Sequence, residues 1–386
     1  MTRGADLEQD DRWARVALSH LVEPTHTAIA GAVATVGAVA TLAAVRAGRP
    51  VGGPEVSVRL PDLDLDRLVA RVEEVGARVV VPGDPDWPWT LDLLGRPPLC
   101  LYVRGPANLA EVTERAVAVV GSRLATDYGA RVAADLGHGL ADRGWSTVSG
   151  GAYGIDAAAH RGSLAGDGTT VAVLACGIDR VYPRGNERLL AAVARTGAVV
   201  TEMPPGSDPL PRRFLARNRL IAALGRATVV VEASLRSGSL STAGEAGRLH
   251  RPVAAVPGPV TSVTSAGCHR LLREEAAVLV TDVADVLDLA APVGEAPAPD
   301  RRGPARPTDD LDPVEHQVWS VAALRGWTPV AGLAAAAGVD PALVPPAVAV
   351  LEACGLLDRD GDRVRKARPG SARPSHPGVE GSDTRA

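Results

Sequence analysis

Lysine is all but missing from this sequence: Lys366 stands alone, and arginine supplies the rest of the Lys and Arg total. A bias of that kind in an Ala- and Val-rich chain most simply reflects a GC-rich genome and need not be functional. Cysteine is scarce too. Cys100, Cys176, Cys268 and Cys354 lie 76, 92 and 86 residues apart, which excludes a CxxC zinc site and a disulfide framework, so a reducing, cytoplasmic setting is expected. There is no HExxH and no Asp/Glu/His cluster at ligand spacing, so no metal and no other cofactor is expected. The absence of GxxxxGK[ST] excludes an ATP-hydrolysing P-loop, and no GxGxxG follows the first strand-like run, which argues against a nicotinamide enzyme. Gly-x-Ser-x-Gly is absent as well, and no catalytic residue is assigned. No charged n-region with a cleavage site opens the chain, so secretion is not expected. The long uncharged run, Ala28 to Val45, spans 18 residues, the threshold for a membrane span. Its Ala, Gly, Thr and Val content is weakly hydrophobic, so a buried, tightly packed helix pair is expected and no membrane span.

The 386 residues leave room for two or three domains. A formal charge of -4 gives no hint of a nucleic-acid partner. That total hides an asymmetry. Between Gly206 and Arg273 ten arginines face three acids, a local charge of +7 that leaves -11 for the remainder. Guanidinium suits bidentate phosphate contact better than the lysine ammonium does.

The elements follow from periodicity. Residues 1–80 read as a domain of short Ala-rich helices, and 81–111 as a connector packed on the core, ending in a strand-like Leu99 to Val103. From Ala116 onward six apolar runs of strand length alternate with five helical stretches. The strands are Ala116 to Val120, Ser146 to Ser149, Thr170 to Ala175, Ala198 to Glu202, Thr228 to Glu232 and Val253 to Val256. Continuously apolar strands between helices predict an α/β fold with a doubly wound, Rossmann-like parallel sheet over 112–290. Residues 291–310 have linker composition, with five prolines. Three short helical segments and a hairpin around an Asp-Gly turn predict a C-terminal winged-helix domain over 311–366, with Pro345-Pro346 expected to disturb its third helix. The tail, 367–386, reads as disordered.

In an open parallel sheet, ligands bind beyond the carboxyl ends of the strands. The residues there are Gly121-Ser122-Arg123 after the first strand, Ser149-Gly150-Gly151-Ala152-Tyr153-Gly154-Ile155-Asp156 after the second, Gly177-Ile178-Asp179-Arg180-Val181-Tyr182-Pro183 after the third, and Arg236-Ser237-Gly238-Ser239-Leu240-Ser241-Thr242 after the fifth. Gly admits a close backbone approach, Ser and Thr donate hydrogen bonds, and Arg brings bidentate charge, so together they suggest an anionic ligand; each glycine taken singly could be only a tight turn. A second feature is Arg212, Arg213, Arg217, Asn218 and Arg219, a basic run around Phe214, the single phenylalanine. It reads as a phosphate-backbone contact, with a solvated helix face as the alternative. His160, four residues after Asp156, could orient a loop, cap the ligand or serve only as a structural hydrogen-bonding group.

These loops, with Gly177-x-Asp179-x-x-Tyr182-Pro183-x-x-Asn186, Glu202-x-Pro204-Pro205-Gly206, Arg217-Asn218-Arg219-x-Ile221-Ala222 and Pro257-Gly258, resemble the DNA-processing protein A family (DprA, also called Smf), in order from about residue 82 to 288. The resemblance implies a non-enzymatic, single-stranded DNA-binding recombination mediator. Such a protein helps load RecA recombinase on incoming DNA in natural transformation, displaces single-strand-binding protein and acts as a homodimer. It also implies an N-terminal domain of sterile-alpha-motif type and a C-terminal winged helix. Carried over by position, Arg123, Arg217 and Arg219 contact phosphates, and Ser122, Gly150, Gly151, Ser237, Gly238 and Thr242 form the loop wall. Tyr153 stands where the family usually has a basic residue, so one backbone contact is lost or replaced by stacking on a base. An alternative enzymatic reading compares Ser237 to Glu245 with the loop of lysine-decarboxylase-like phosphoribohydrolases and makes Glu245 a catalytic acid. A further alternative is an adaptor acting through the winged helix.

Overall fold

In the computed structural model, which describes residues 7–299 and 306–368, the expected parallel sheet is present and extends beyond the predicted strands. The N-terminal part contains helices α1 (Asp11–Leu21), α2 (Thr27–Val36), α3 (Ala38–Arg46), α4 (Pro54–Arg59) and α5 (Leu65–Glu74). Strands β1 (Arg78–Val80) and β2 (Leu101–Arg104) and helix α6 (Leu109–Glu114) lead into the alternating segment. That segment is β3 (Ala116–Val120), α7 (Asp127–Ala141), β4 (Ser146–Ser149), α8 (Ile155–Ala165), β5 (Thr170–Val173), α9 (Glu187–Thr196), β6 (Ala198–Thr201), α10 (Pro211–Leu224), β7 (Ala227–Val230), α11 (Ser239–Arg248), β8 (Val253–Ala255), α12 (Ala266–Arg273), β9 (Val278–Leu279) and α13 (Val283–Ala290).

The strand order is β1-β2-β6-β5-β4-β3-β7-β8-β9, parallel from β6 through β9, with β2 antiparallel to both β1 and β6. The segment expected to be a connector over 81–111 therefore contributes a strand to the sheet. Burial on both faces explains the apolar runs. Along β3, Ala116, Ala118 and Val120 enter one core with residues of α10 and α11, while Val117 and Val119 enter another with residues of α7, α8 and α13. A third cluster joins the N-terminal helices to Tyr102, Ala172, Leu174 and Val199. The Ser19 and Tyr102 hydroxyls lie 3.0 Å apart across that junction. The helices expected as a domain of their own over 1–80 thus share a core with the sheet, and the chain up to Pro299 is one compact unit.

The uncharged run from Ala28 to Val45 forms the expected helix pair, broken at Gly37 with φ +84°. Its burial is one-sided, a correction to the buried pair expected: Ile29, Val33, Leu42 and Val45 point inward while Ala34, Thr35 and Val36 are exposed. Among the described residues no helix is long and apolar enough to cross a membrane.

Beyond Pro299 a second unit contains α14 (Pro313–Val321), β10 (Thr328–Pro329), α15 (Val330–Ala337), α16 (Val344–Ala353), β11 (Leu357–Asp360) and β12 (Arg363–Lys366). Its antiparallel sheet, β10-β12-β11, closes a core that includes Val318, Leu333, Leu351 and Val364. Pro345-Pro346 does not disrupt α16. The pair lies in the first turn, where a proline removes only an N–H that has no intrahelical partner. Residues 300–305 of the expected linker and nearly all of the tail expected from 367 lie outside the described residues.

The chain fills one side of β3 with β4, β5 and β6, then crosses to β7, β8 and β9 on the other. This reversal of strand order opens a crevice at the carboxyl ends of β3, β4 and β7.

Candidate functional site

The crevice is a cavity of about 520 Å3. Its floor is the loop after β3. Ser122 N–H donates to the Glu232 carbonyl at 2.7 Å, and Ile155 N–H, opening α8, donates to the Ser122 carbonyl at 3.2 Å. Gly154, at φ +75°, brings the start of α8 so close to the Ser122 and Arg123 carbonyls that a side chain there would collide with them. The opposite wall is the loop entering α11. The Ser237 and Ser239 hydroxyls lie 2.7 Å apart, and Asn218 Nδ2 donates to the Gly238 carbonyl at 3.1 Å. Gly121, Ser122, Arg123, Arg217, Asn218, Ser237, Gly238, Ser239 and Thr242 all line this one cavity, as expected of the strand-end loops.

Arg123 is exposed and makes no ion pair among the described residues. Its guanidinium carbon lies 4.7 Å from the centre of the Phe214 ring, and Phe214 tilts against Tyr182 with ring centres 5.5 Å apart. An available cation beside two aromatic rings can hold a phosphate and a flat base together. Arg217 works differently. It is buried and donates to the carbonyls of Gly150, at 2.8 Å, and Val173. Burial lowers its pKa to about 10, against the opposing pull of Asp156. Asp156 accepts from the N–H groups of Gly150 at 3.1 Å and Ala152 at 3.4 Å; burial raises its pKa and Arg217 opposes the rise.

Several expected site residues are elsewhere. Ser149, Gly150 and Gly151 are buried behind the wall, with the Ser149 hydroxyl donating to the Val119 carbonyl at 2.6 Å. Tyr153 lines a neighbouring cleft. Arg212 and Arg213, expected on phosphate, instead bind Glu23 at 3.1 and 2.8 Å, because α10 starts against the loop between α1 and α2. Arg219, also expected on phosphate, is buried in an ion pair with Glu202 and does not line the crevice. His160 is buried with Nδ1 2.7 Å from the Thr170 hydroxyl, which is the structural alternative. Glu245 pairs with Arg248 and does not line the crevice either. Asp156 and Tyr182, both in the expected strand-end loops, line the cavity, and so does Phe214, which was not among the expected contacts. Phe214 had a signal, its position within the arginine run; Leu124 and Leu215 on the rim had none.

Residues 78–291 match the DNA recombination-mediator protein A family. The chain belongs to that family. The match runs from the first residue of β1 to just past α13, so it takes in the whole sheet and the crevice. A Mycobacterium tuberculosis protein named as a candidate DNA processing protein DprA is 44% identical over 371 residues, covering 92% of this chain and 95% of the relative. DprA of Streptococcus pneumoniae is 41% identical over 204 residues, 53% of this chain and 71% of the relative. Its X-ray structure superposes with a TM-score of 0.60 at 33% identity over 71% of this chain and 95% of that one. A Helicobacter pylori DNA processing protein A, described for its single-stranded DNA binding mode, gives a TM-score of 0.50 at 29% identity over 55% of this chain and 94% of that one. As a family member the chain has a DNA-processing role.

Proposed function

We propose that this protein binds single-stranded DNA in the crevice and helps load RecA recombinase onto incoming strands during natural transformation, displacing single-strand-binding protein. The observation that carries the proposal is Arg123 lying on the Phe214 ring at a cavity walled by glycine, serine and threonine. Aromatic faces serve unpaired bases, whereas a duplex keeps its base faces stacked and offers only groove edges. Arg123 would meet a phosphate directly. Arg217 shapes the wall from behind while lending its charge, and Asn218, Ser122, Ser237, Ser239 and Thr242 supply polar contacts.

No reaction is assigned. The enzymatic alternative requires Glu245 at the cavity, and Glu245 is engaged with Arg248 outside its lining. We take the protein to act in the cytoplasm as a homodimer, with the N-terminal helices as a sterile-alpha-motif-like layer and the second unit as a winged helix.

In a gel shift, the purified protein should retard oligo-dT in preference to a duplex of equal length. Arg123→Ala should weaken oligo-dT binding roughly ten-fold, the scale of one charged contact. Equal affinity for duplex and single strand, or a variant that binds like the parent, overturns the assignment. Base release from a nucleoside monophosphate, lost in Glu245→Ala, would favour the enzyme instead.

A further inference from the structure

Next to the crevice, and sharing Tyr182 and Pro209 with it, lies a second open cleft of about 820 Å3. Tyr153 and Tyr182 both line it, 49% and 40% exposed. Tyr153 is not a loose surface side chain. Its hydroxyl oxygen accepts from Gly185 N–H at 3.2 Å, and a side chain at 185 would collide with the ring, so Gly185 seats it. The loop that carries Tyr153 is held in turn by Asn186, whose Nδ2 donates to the carbonyls of Gly151 at 2.9 Å and Ala152 at 3.1 Å. Anchored at its tip and half exposed, Tyr153 has a fixed ring beside open space.

The charges around it suit a base better than a phosphate. Arg180 is paired with Asp208 at 2.8 Å, and Glu187 adds an acid to the lining. Arg184 makes no ion pair among the described residues, so the cleft is close to neutral. From Arg123 through Phe214 and Tyr182 to Tyr153, a cation and three rings span both cavities.

We propose that the cleft of Tyr153 and Tyr182 is a second nucleotide subsite, which takes an adjacent unpaired base of the strand held in the crevice and stacks it on Tyr153. The subsite rests on the assignment of the crevice to single-stranded DNA. Stacking releases no counterions, so its loss lowers affinity without changing the salt dependence.

The test uses the full chain and oligo-dT carrying a single 2-aminopurine, moved along the strand, whose fluorescence falls on stacking. With the parent, one position is quenched. Tyr153→Leu, which keeps the bulk and removes the ring, should bind roughly ten-fold more weakly. It should lose that quenching and keep the parental salt slope. Tyr153→Phe should retain both affinity and quenching. If Tyr153→Leu binds and quenches like the parent while Arg123→Ala is impaired, the subsite is wrong and the crevice assignment stands. A salt slope reduced in Tyr153→Leu as much as in Arg123→Ala also overturns stacking. No oligonucleotide binding by the parent overturns both proposals.

Discussion

Four arginines within one stretch of α10 divide among three sets of partners, Arg212 and Arg213 sharing Glu23, and the partners decide what each does. Arg213 meets Glu23 from 190 residues away, Arg217 meets Gly150 from 67 away, and Arg219 meets Glu202 from 17 away. In the sequence the four are one basic run, because none of those pairings leaves a local trace. The crevice's directly available cation, Arg123, was legible, since it follows the first strand of the parallel sheet; its stacking on Phe214 was not. Arg219→Ala would leave the Glu202 carboxylate buried without its partner. It should lower stability by about 3–5 kcal/mol in denaturant unfolding, while oligo-dT binding by the folded protein keeps its salt slope. Arg123→Ala, at an exposed position, should leave the unfolding midpoint unchanged. His160 gives a pH signature. Burial lowers its pKa from 6.5 to about 3, so between those values the unfolded chain binds a proton that the native protein does not. Stability from this group is complete above about pH 6.5 and is lost as the pH falls. Unfolding free energies measured from pH 7 to 4 should decline less steeply for His160→Gln than for the parent.

At the scale of elements, the alternation of β3 to β8 with helices was legible because strands covered on both faces leave unbroken apolar runs. Strand β1 escaped because it is three residues long at the antiparallel edge; β2 was read as strand-like, but its place in the sheet was hidden because turn formers precede it and break the alternation. The contact between the N-terminal helices and α10 was equally hidden. Glu23, in the loop between α1 and α2, receives Arg213, Arg212 and Arg59. Led by Arg213, these hold its carboxyl at about 2, down from 4.5 and against the effect of burial. A lowered carboxyl pKa stabilises the native state above the unfolded value, and this contribution disappears as the pH falls from about 4.5 towards 2. Glu23→Gln should therefore lower the denaturation midpoint at neutral pH and bring parent and variant together near pH 2. A difference that persists at pH 2 would mean that Glu23 acts through packing rather than charge.

Across the whole molecule, the excess of +7 between Gly206 and Arg273 is largely engaged within the fold. Arg212 and Arg213 face Glu23, Arg219 faces Glu202, Arg248 faces Glu245, Arg270 faces Glu274, and Arg251 donates to the Gly225 carbonyl. Most of the basic stretch is therefore held by the fold itself, and the phosphate contact we propose is Arg123, outside that stretch. The two compact units have separate cores, so a chain ending at Pro299 should fold and bind oligo-dT like the full protein in a gel shift. Loss of binding on that truncation would shift the site to the second unit, as an adaptor requires. The most direct measurement is oligo-dT affinity as a function of salt for the parent, Arg123→Ala and Arg219→Ala. A phosphate held by Arg123 predicts a slope of log affinity against log salt shallower by about 0.7 in Arg123→Ala and unchanged in Arg219→Ala. An unchanged slope in Arg123→Ala, or a drop only in Arg219→Ala, would contradict the placement of the DNA backbone in the crevice.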